Sequence, residues 1–514
     1  MSPRAPASLT AGIANRHPIA VAAMLAAVCV AITLPHARAK PFWHDEIYTI
    51  LMSRLPSVHA MWTAALDGVD LSPPLSLWLT RAAHQLAGVG HVSTRLPAMA
   101  GFALSVLVIF ALLRRRVGSA AAISGALFPI FTAAPRYASE ARAYGVMLAL
   151  FAAALYCWAE AAKGRQRRVF VPGLAAALAA SLWNHYYGVL VFAPIAAGEV
   201  ARMVRNRRAD PAVGAALGVA LLAAAPLWPL VRVVSTQRAT FWAAADRPEQ
   251  IIECYRFLLQ PLLEAPFVLA GIGLALILAW WPAPPDAGET PGVPSHEWVA
   301  VIVAVAIPIL GFLLGRFVSG AFAPRYILSG ALAISMAVPL AVARGRSRNT
   351  RASLLMCATL IIAVATAAVR AWYPAPLPFT DPVASRPLLT DSLRSPGPTV
   401  VSSSLQFLQL WYYAPPELKH RLRYLAAPEQ ALSRTGSDTM DRGYEALARV
   451  AAVPVVNFEV FVAAHTDFRL YEAGSGWLLD ALRDAGATVE LVATEPGGRL
   501  YTIRMQLSRR KTGR

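Results

Sequence analysis

The sequence has few charged residues, since only 15% of its 514 residues are Asp, Glu, Lys or Arg. Soluble globular chains carry about 25%, so this chain has too little polar surface to face water on all sides. Hydrophobic residues make up 57% of the chain. They fall in blocks of roughly 16–22 residues, the length that crosses a hydrocarbon core of about 30 Å. This composition excludes a soluble globular protein and predicts an integral membrane protein.

Cysteine is also scarce, and the four present have neither metal-ligand spacing nor the spacing of a disulfide framework. No internal repeat of the kind that builds many transporters is visible. The C-terminal part lacks a Gly-rich phosphate fingerprint, a nucleophile elbow and a metal-ligand cluster. We therefore expect neither a metal nor a cofactor.

Acidic residues are fewer than basic ones, with 29 Asp and Glu against 47 Lys and Arg, which gives a net charge of +18. The positive charge lies in short runs between apolar blocks, as in cytoplasmic loops under the positive-inside rule, rather than in a nucleic-acid-binding surface. If the spans alternate from a cytoplasmic N-terminus, the cytoplasmic side holds all the basic runs: 114–116, 163–168, 202–208 and 344–351. The loop at 282–297 should lie on the same side but contains no Lys or Arg.

The apolar blocks predict an α-helical polytopic membrane protein with about eleven transmembrane helices and further juxtamembrane helices. The first block ends at Pro35 without a small-residue cleavage site, so a span is favoured over a cleaved signal peptide. The blocks are 17–37, 95–113, 118–134, 143–162, 169–183, 187–201, 212–232, 264–281, 298–315, 326–343 and 353–370.

Two domains are expected, a membrane domain at 1–370 and a small extracytoplasmic α/β domain at 371–514. In the second, strand-like runs near 399–402, 421–425, 488–494 and 499–505 alternate with helical patterns at 405–413 and 477–485. A packing or acceptor-docking role is favoured there over a second catalytic site.

The face opposite the basic runs holds a long first loop at about 38–94, with Asp45 and Glu46 directly after the first span. If this segment is helical, Asp45 and Tyr48 share a face; the alternative is an ordinary acidic helix start. Asp70 is a candidate site residue. Ser72 fits an N-cap and Pro73 the first position of an amphipathic helix on the membrane surface.

Further polar side chains occur at the other junctions of this face. Arg136, Glu140 and Tyr144 recur at the spacing of one helical stripe, although Arg136 and Glu140 could form only a salt bridge. The other candidates at these junctions are Arg142, His185, Tyr186, Arg325 and Tyr326. The alternative for the aromatic residues is a role as interfacial anchors, and the alternative for the arginines is snorkelling to the membrane surface. Together they suit an anionic, lipid-linked substrate at headgroup depth.

The order of these pieces resembles the GT-C superfamily of polyprenyl-phosphate-sugar-dependent glycosyltransferases. Within it, the chain is similar to protein O-mannosyltransferases and lipid A aminoarabinose transferases. The sequence departs at Ser72, where many relatives have His or Lys, so a cationic contact to the donor is missing or supplied from elsewhere. The matching pieces are Asp45-Glu46, Pro73-Pro74-Leu75, Arg95-Leu96-Pro97, Glu140 to Tyr144, His185 to Gly188 and Arg325-Tyr326.

The resemblance implies a hexosyl- or pentosyltransferase in the plasma (inner) membrane, with its C-terminal domain extracytoplasmic. It would move a sugar, with inversion, from a polyprenyl-phosphate donor to a hydroxyl of an envelope glycan, lipid or protein. Asp45 would be the general base with Glu46 beside it, and Arg142, Arg325 and Arg136 would stabilise the leaving phosphate. A transporter or flippase of lipid-linked glycans is the alternative, and it would need no base.

Overall fold

The structure is a computed structural model, and it describes residues 16–281, 293–344, 350–372, 379–474 and 476–505. Through these ranges the chain is mostly helical, with a small sheet confined to the C-terminal part, as the sequence predicts. The helices are Pro18–Ala39, His44–Ser53, Val58–Leu66, Leu75–Ala87, His91–Arg114, Ser119–Leu127, Ala134–Ala138, Tyr144–Ala162, Arg167–Asn184, Phe192–Asn206, Pro211–Leu222, Trp228–Thr236, Gln250–Leu263, Pro266–Trp280, Ser295–Val305, Ile307–Leu314, Ser329–Arg344, Thr350–Trp372, Pro387–Arg394, Ser404–Tyr413, Pro416–Lys419, Pro428–Thr435, Thr439–Val450, Phe458–Ala464 and Leu478–Asp484.

Short turns of other helix types join several of these. They are 3₁₀ helices at Phe128–Phe131, Tyr186–Val191, Ala225–Leu227 and Pro324–Ile327, and a π-helical turn at Gly315–Ser319.

A helix lies at each predicted apolar block. Within the described ranges, six helices are long and apolar enough to cross a membrane, and up to eight if two bent pairs each count as one span. The bent pairs are Gln250–Leu263 with Pro266–Trp280 and Ser295–Val305 with Ile307–Ser319. The chain is therefore an integral membrane protein, while the count of eleven spans stays a prediction.

The described residues form two compact units. One comprises the described residues within Met1–Arg38, Ser72–Trp228 and Ala244–Leu377, and the other those within Ala39–Leu71, Pro229–Ala243 and Pro378–Arg514. We refer to them as the helical unit and the α/β unit. The start of the first loop, which carries Asp45, thus belongs to the same unit as the C-terminal residues.

Glycine allows a close helix crossing in the helical unit. Helix His91–Arg114 packs along Tyr144–Ala162, and their backbones meet at Gly101 and Gly145. A Cβ atom at Gly145 would lie 2.1 Å from the carbonyl oxygen of Ala98. Small residues of this kind let membrane helices approach to backbone contact.

Ion pairs join the basic junctions at one end of the helical unit. Arg116 binds Glu297 through two hydrogen bonds of 2.5 and 2.6 Å, and Asp210 accepts from both Arg167 and Arg202. Glu297, in the described part of the junction that lacks basic residues, thus pairs with the basic run at 114–116. Which side of the membrane this end faces stays a prediction.

The α/β unit contains a six-stranded sheet in the order β3-β2-β1-β4-β6-β5. Strands β3, β2, β1 and β4 run parallel, and β6 and β5 add an antiparallel edge. The strands are β1 Thr399–Val401, β2 Leu422–Ala426, β3 Val455–Asn457, β4 Asp467–Glu472, β5 Ala487–Glu495 and β6 Gly498–Met505.

The four strand-like runs in the sequence correspond to β1, β2, β5 and β6. The sequence analysis did not find β3, which has only three residues, or β4, whose buried Phe468 and Leu470 alternate with charged residues.

The predicted start of the first amphipathic helix was wrong. That helix begins at Leu75, with Pro74 rather than Ser72 at the N-cap. A residue that precedes proline is disfavoured in the α region, which explains why the helix does not begin at Pro73.

Candidate active site

Asp45 and Glu46 lie in the first turn of helix His44–Ser53, in the α/β unit, so this segment is helical. Their surroundings differ. The Asp45 side chain is 18% exposed, and its Oδ1 lies 3.1 Å from Nδ1 of buried His44. Glu46 is fully buried and accepts the backbone N–H of Trp43 at 3.4 Å. Asp45 can thus meet a substrate, whereas Glu46 stabilises the start of the helix.

Tyr48 is surrounded by carboxylates in the same unit. Burial, followed by the charges of Asp70, Asp45 and Asp441, raises the pKa of the Tyr48 hydroxyl well above its ordinary value. Asp70 is buried, and burial also raises the pKa of Asp441 to about 6. Tyr48 therefore stays a neutral phenol beside Asp45, on the face that the sequence predicts.

The predicted stripe of Arg136, Glu140 and Tyr144 on one helix was wrong. Helix Ala134–Ala138 ends before Glu140, and a new helix begins at Tyr144. At the break the N–H groups of Glu140 and Arg142 donate to the carbonyl oxygens of Tyr137 and Glu140, three and two residues back, rather than to carbonyls four residues back as in an α-helix. Arg136 is exposed, while Glu140 and Tyr144 are buried.

The segment after this break lies beside His185 in the helical unit. Asn184 donates to the carbonyl oxygen of Ala143 at 2.9 Å, which links the turn carrying His185 to the turn carrying Arg142. The His185 ring lies 5.7 Å from the ring of Tyr144, measured between centroids.

His185 is a neutral imidazole. Its Nδ1 accepts the backbone N–H of Tyr187, so Nε2 carries the proton. Burial lowers its pKa to about 3, and the positive charges of Arg142 and Arg325 contribute to the shift. Both guanidinium groups are thus close enough to act on one buried ring.

Arg325 and Tyr326 share the 3₁₀ helix Pro324–Ile327. The Arg325 guanidinium lies 5.8 Å from the centroid of the Tyr326 ring, and that ring lies 5.0 Å from the His185 ring. Half-buried Tyr186 opens the neighbouring turn. We call the group of Arg142, Tyr144, His185, Arg325 and Tyr326 the arginine–histidine cluster.

The cluster has the chemistry of an anion site. Two arginines close to one neutral ring, walled by tyrosines, can bind a phosphate through charge-assisted hydrogen bonds. An imidazole held neutral adds a hydrogen-bond donor through Nε2 without adding a third positive charge. Across the described part of the chain, no group of three or more His, Cys, Asp or Glu side chains is arranged to hold a metal.

Two residues of these sites were not predicted from the sequence. His44 precedes Asp45 directly, and that adjacency was the only signal for its contact with the carboxylate. Tyr187 packs 5.1 Å from the Tyr326 ring and donates to the carbonyl oxygen of Ala321. It stands beside Tyr186, and nothing in the sequence distinguishes which of the two tyrosines turns inward.

Comparisons with known proteins agree with this architecture. Residues 72–231 match the family model described as dolichyl-phosphate-mannose-protein mannosyltransferase. ArnT from Cupriavidus metallidurans bound to undecaprenyl phosphate is similar in structure, with a TM-score of 0.58 at 14% identity, covering 95% of this chain and 98% of ArnT. Its apo form gives a TM-score of 0.57 at 13% identity, with the same coverage. No curated protein matches the chain in sequence.

The family match covers four of the six pieces of the sequence resemblance, those between Pro73 and Gly188, and the structural likeness extends over nearly the whole chain. The chain thus shares the fold of ArnT, and its residues 72–231 resemble the mannosyltransferase family in sequence.

Proposed function

We propose that the chain is a membrane glycosyltransferase that moves a sugar from a polyprenyl-phosphate donor to an extracytoplasmic acceptor hydroxyl. The observation that carries the proposal is the arginine–histidine cluster: Arg325 lies against Tyr326, whose ring packs on buried His185, and the turn that carries Arg142 is bound by Asn184. Such a group suits the phosphate of a lipid carrier, which becomes the charged leaving group of the transfer.

The proposed reaction assigns a role to each charged group. The Asp45 carboxylate takes the proton of the acceptor hydroxyl, whose oxygen attacks the anomeric carbon from the face opposite the phosphate. The bond between that carbon and the phosphate oxygen breaks, and the lipid phosphate leaves with the electron pair. Arg142 and Arg325 stabilise its charge. The configuration at the anomeric carbon is inverted.

The remaining predicted residues have supporting roles in this proposal. His44 orients Asp45 through its Nδ1 contact, and buried Asp70 belongs to the acidic surroundings of Tyr48. Tyr144 and Tyr326 pack around His185. The tyrosine hydroxyls and buried Glu140 offer polar contacts to a sugar, while Arg136, being exposed, contributes least.

Two features support a lipid-linked donor. The helical unit contains long apolar helices that would lie in the bilayer, and the structurally similar ArnT was crystallised with undecaprenyl phosphate. The proposal follows the sequence prediction in placing the enzyme in the inner membrane with the C-terminal domain outside the cytoplasm. The acceptor is an envelope glycan, lipid or protein.

A transfer assay with full-length protein in detergent tests the proposal. The protein is mixed with a polyprenyl-phosphate-linked sugar and each class of acceptor, and the products are analysed by mass spectrometry and NMR. We expect a new glycosidic bond of inverted configuration and one released polyprenyl phosphate per sugar transferred. Movement of intact donor across vesicle membranes, without any covalent product, would instead establish the flippase alternative.

A further inference from the structure

The backbone of Phe42, three residues before Asp45, is bound on both of its polar groups by one helix of the α/β unit. The Phe42 N–H donates to the hydroxyl oxygen of Tyr413 at 2.7 Å. Nε2 of Gln409 donates to the carbonyl oxygen of Phe42 at 2.7 Å. Gln409 and Tyr413 stand four residues apart on helix Ser404–Tyr413, hence on one helix face.

Aromatic packing reinforces this attachment. The Phe42 ring is buried and meets the Tyr412 ring edge-on, with centroids 5.9 Å apart. The His44 ring contacts Tyr444 of helix Thr439–Val450 at 5.6 Å, and Tyr444 is itself buried and donates to the carbonyl oxygen of Ser404. The residues on either side of Trp43 are thus each in contact with the C-terminal helices.

These contacts hold the residues at the start of helix His44–Ser53, where the hydrogen bonds within the helix do not fix the direction in which it begins. Phe42 precedes the helix, so its amide and carbonyl groups are outside the regular helical hydrogen-bond pattern. Any tilt of the helix start moves Asp45, and a misplacement of about 1 Å can cost on the order of 10²-fold in rate.

We propose that the C-terminal α/β domain positions the catalytic segment, with Gln409 and Tyr413 as positioning residues for Asp45. The inference rests on the proposed function, since it takes Asp45 as the base. It gives the domain a role in catalysis that does not require the domain to touch the donor sugar. Gln409 and Tyr413 act through the Phe42 backbone and His44.

Two substitutions in the full-length protein test this role. Gln409→Glu keeps the size of the side chain but removes the N–H donor, and Tyr413→Phe removes the hydroxyl. Gln430→Glu and Tyr501→Phe are matched controls in the same unit, because Gln430 accepts from Arg434 and Tyr501 donates to Glu472. The measurements are amide hydrogen exchange over residues 40–53, and kcat and KM for donor, with Asp45→Asn assayed in parallel.

We expect both test variants to exchange faster over residues 40–53 and to lose tenfold or more in kcat, with KM for donor changed less than twofold. The controls should match wild type. Faster exchange with kcat within twofold of wild type, while Asp45→Asn is inactive, overturns the positioning role and leaves the proposed function standing. Unchanged exchange shows that the domain does not anchor the segment. A fully active Asp45→Asn variant would show that Asp45 is not the base, and this result would overturn the positioning role as well.

Discussion

At the scale of single residues, the charges of the side chains distinguish the two candidate sites. His185 is kept neutral by burial and by two arginines, whereas Asp45 is partly exposed beside His44. One set of residues suits binding of an anion, and the other suits removal of a proton. The residue-scale predictions separate these two roles.

Arginine geometry should matter at the arginine–histidine cluster. Lysine keeps the charge but cannot form the two-pronged contact of a guanidinium with phosphate. We expect Arg142→Lys and Arg325→Lys each to lower kcat by about tenfold, less than the roughly 10²-fold effect of removing a group that stabilises transition-state charge. Steady-state kinetics with the lipid-linked donor measure this, and Arg256→Lys on the exposed face of helix Gln250–Leu263 is the control. Activity within threefold of wild type in both test variants would contradict the phosphate role.

Glu46 should tolerate loss of its charge. Its carboxylate is fully buried and accepts the Trp43 N–H, a bond that the amide oxygen of glutamine can also accept. We therefore expect Glu46→Gln to retain transfer within about threefold. Glu46→Ala should lower the unfolding free energy by about 1 kcal/mol, as the loss of a helix cap does. Loss of transfer in a stably folded Glu46→Gln variant would return Glu46 to a catalytic role.

At the scale of elements, the sequence predicted helices far better than their breaks. Long apolar blocks determine the membrane helices because the bilayer requires them. The break at Ser139 was missed because the spacing of Arg136, Glu140 and Tyr144 fits a helix equally well. Arg142, His185 and Arg325 come from distant segments of the chain, so no local pattern could reveal that the two arginines lie near His185. Strand β4 was missed because its polar face resembles a loop.

The close helix crossing gives an element-scale prediction. Gly145→Ala would place a methyl group 2.1 Å from the carbonyl oxygen of Ala98 and push apart the helices that hold Tyr144. We expect a loss of about 1–3 kcal/mol in stability, typical of overpacking, and a lower transition temperature in detergent. Gly218→Ala is the control, since nothing lies within 4 Å of its added carbon and alanine favours a helix. Equal transition temperatures for the two variants would show that the crossing is loose.

At the scale of the whole molecule, the two compact units of the chain do not coincide with the two domains that its hydropathy pattern predicts. The sequence predicts a boundary near 370, whereas residues 39–71 of the first loop belong to the α/β unit. Apolar block length carries no information about which polar segments pack together. The candidate base therefore lies in the unit of the C-terminal domain, which hydropathy alone cannot reveal.

The α/β unit should show a stability change that depends on pH through Asp441. Burial raises its pKa from 3.8 to about 6, so the folded state binds the proton more tightly than the unfolded state. This contribution is complete below pH 3.8 and is lost as the pH rises through 6. At higher pH the buried charge costs up to about 3 kcal/mol.

Asp441→Asn removes this charge and keeps an oxygen to accept from the Ala427 N–H. Thermal unfolding of the full-length protein should show the variant gaining stability over wild type at pH 8 but not at pH 4. Asp391→Asn, at an exposed position, is the control. A gain that is equal at both pH values would contradict the assigned pKa.

The most direct test of the account is the rate of sugar transfer by Asp45→Asn under single-turnover conditions, with the lipid-linked donor bound and acceptor in excess. Asparagine keeps the shape of the side chain but cannot take the acceptor proton. We predict a rate at least 10²-fold below wild type with donor affinity unchanged, while Asp67→Asn, at the exposed end of helix Val58–Leu66, transfers normally. Transfer by Asp45→Asn at the wild-type rate would contradict the assignment of Asp45 as the base.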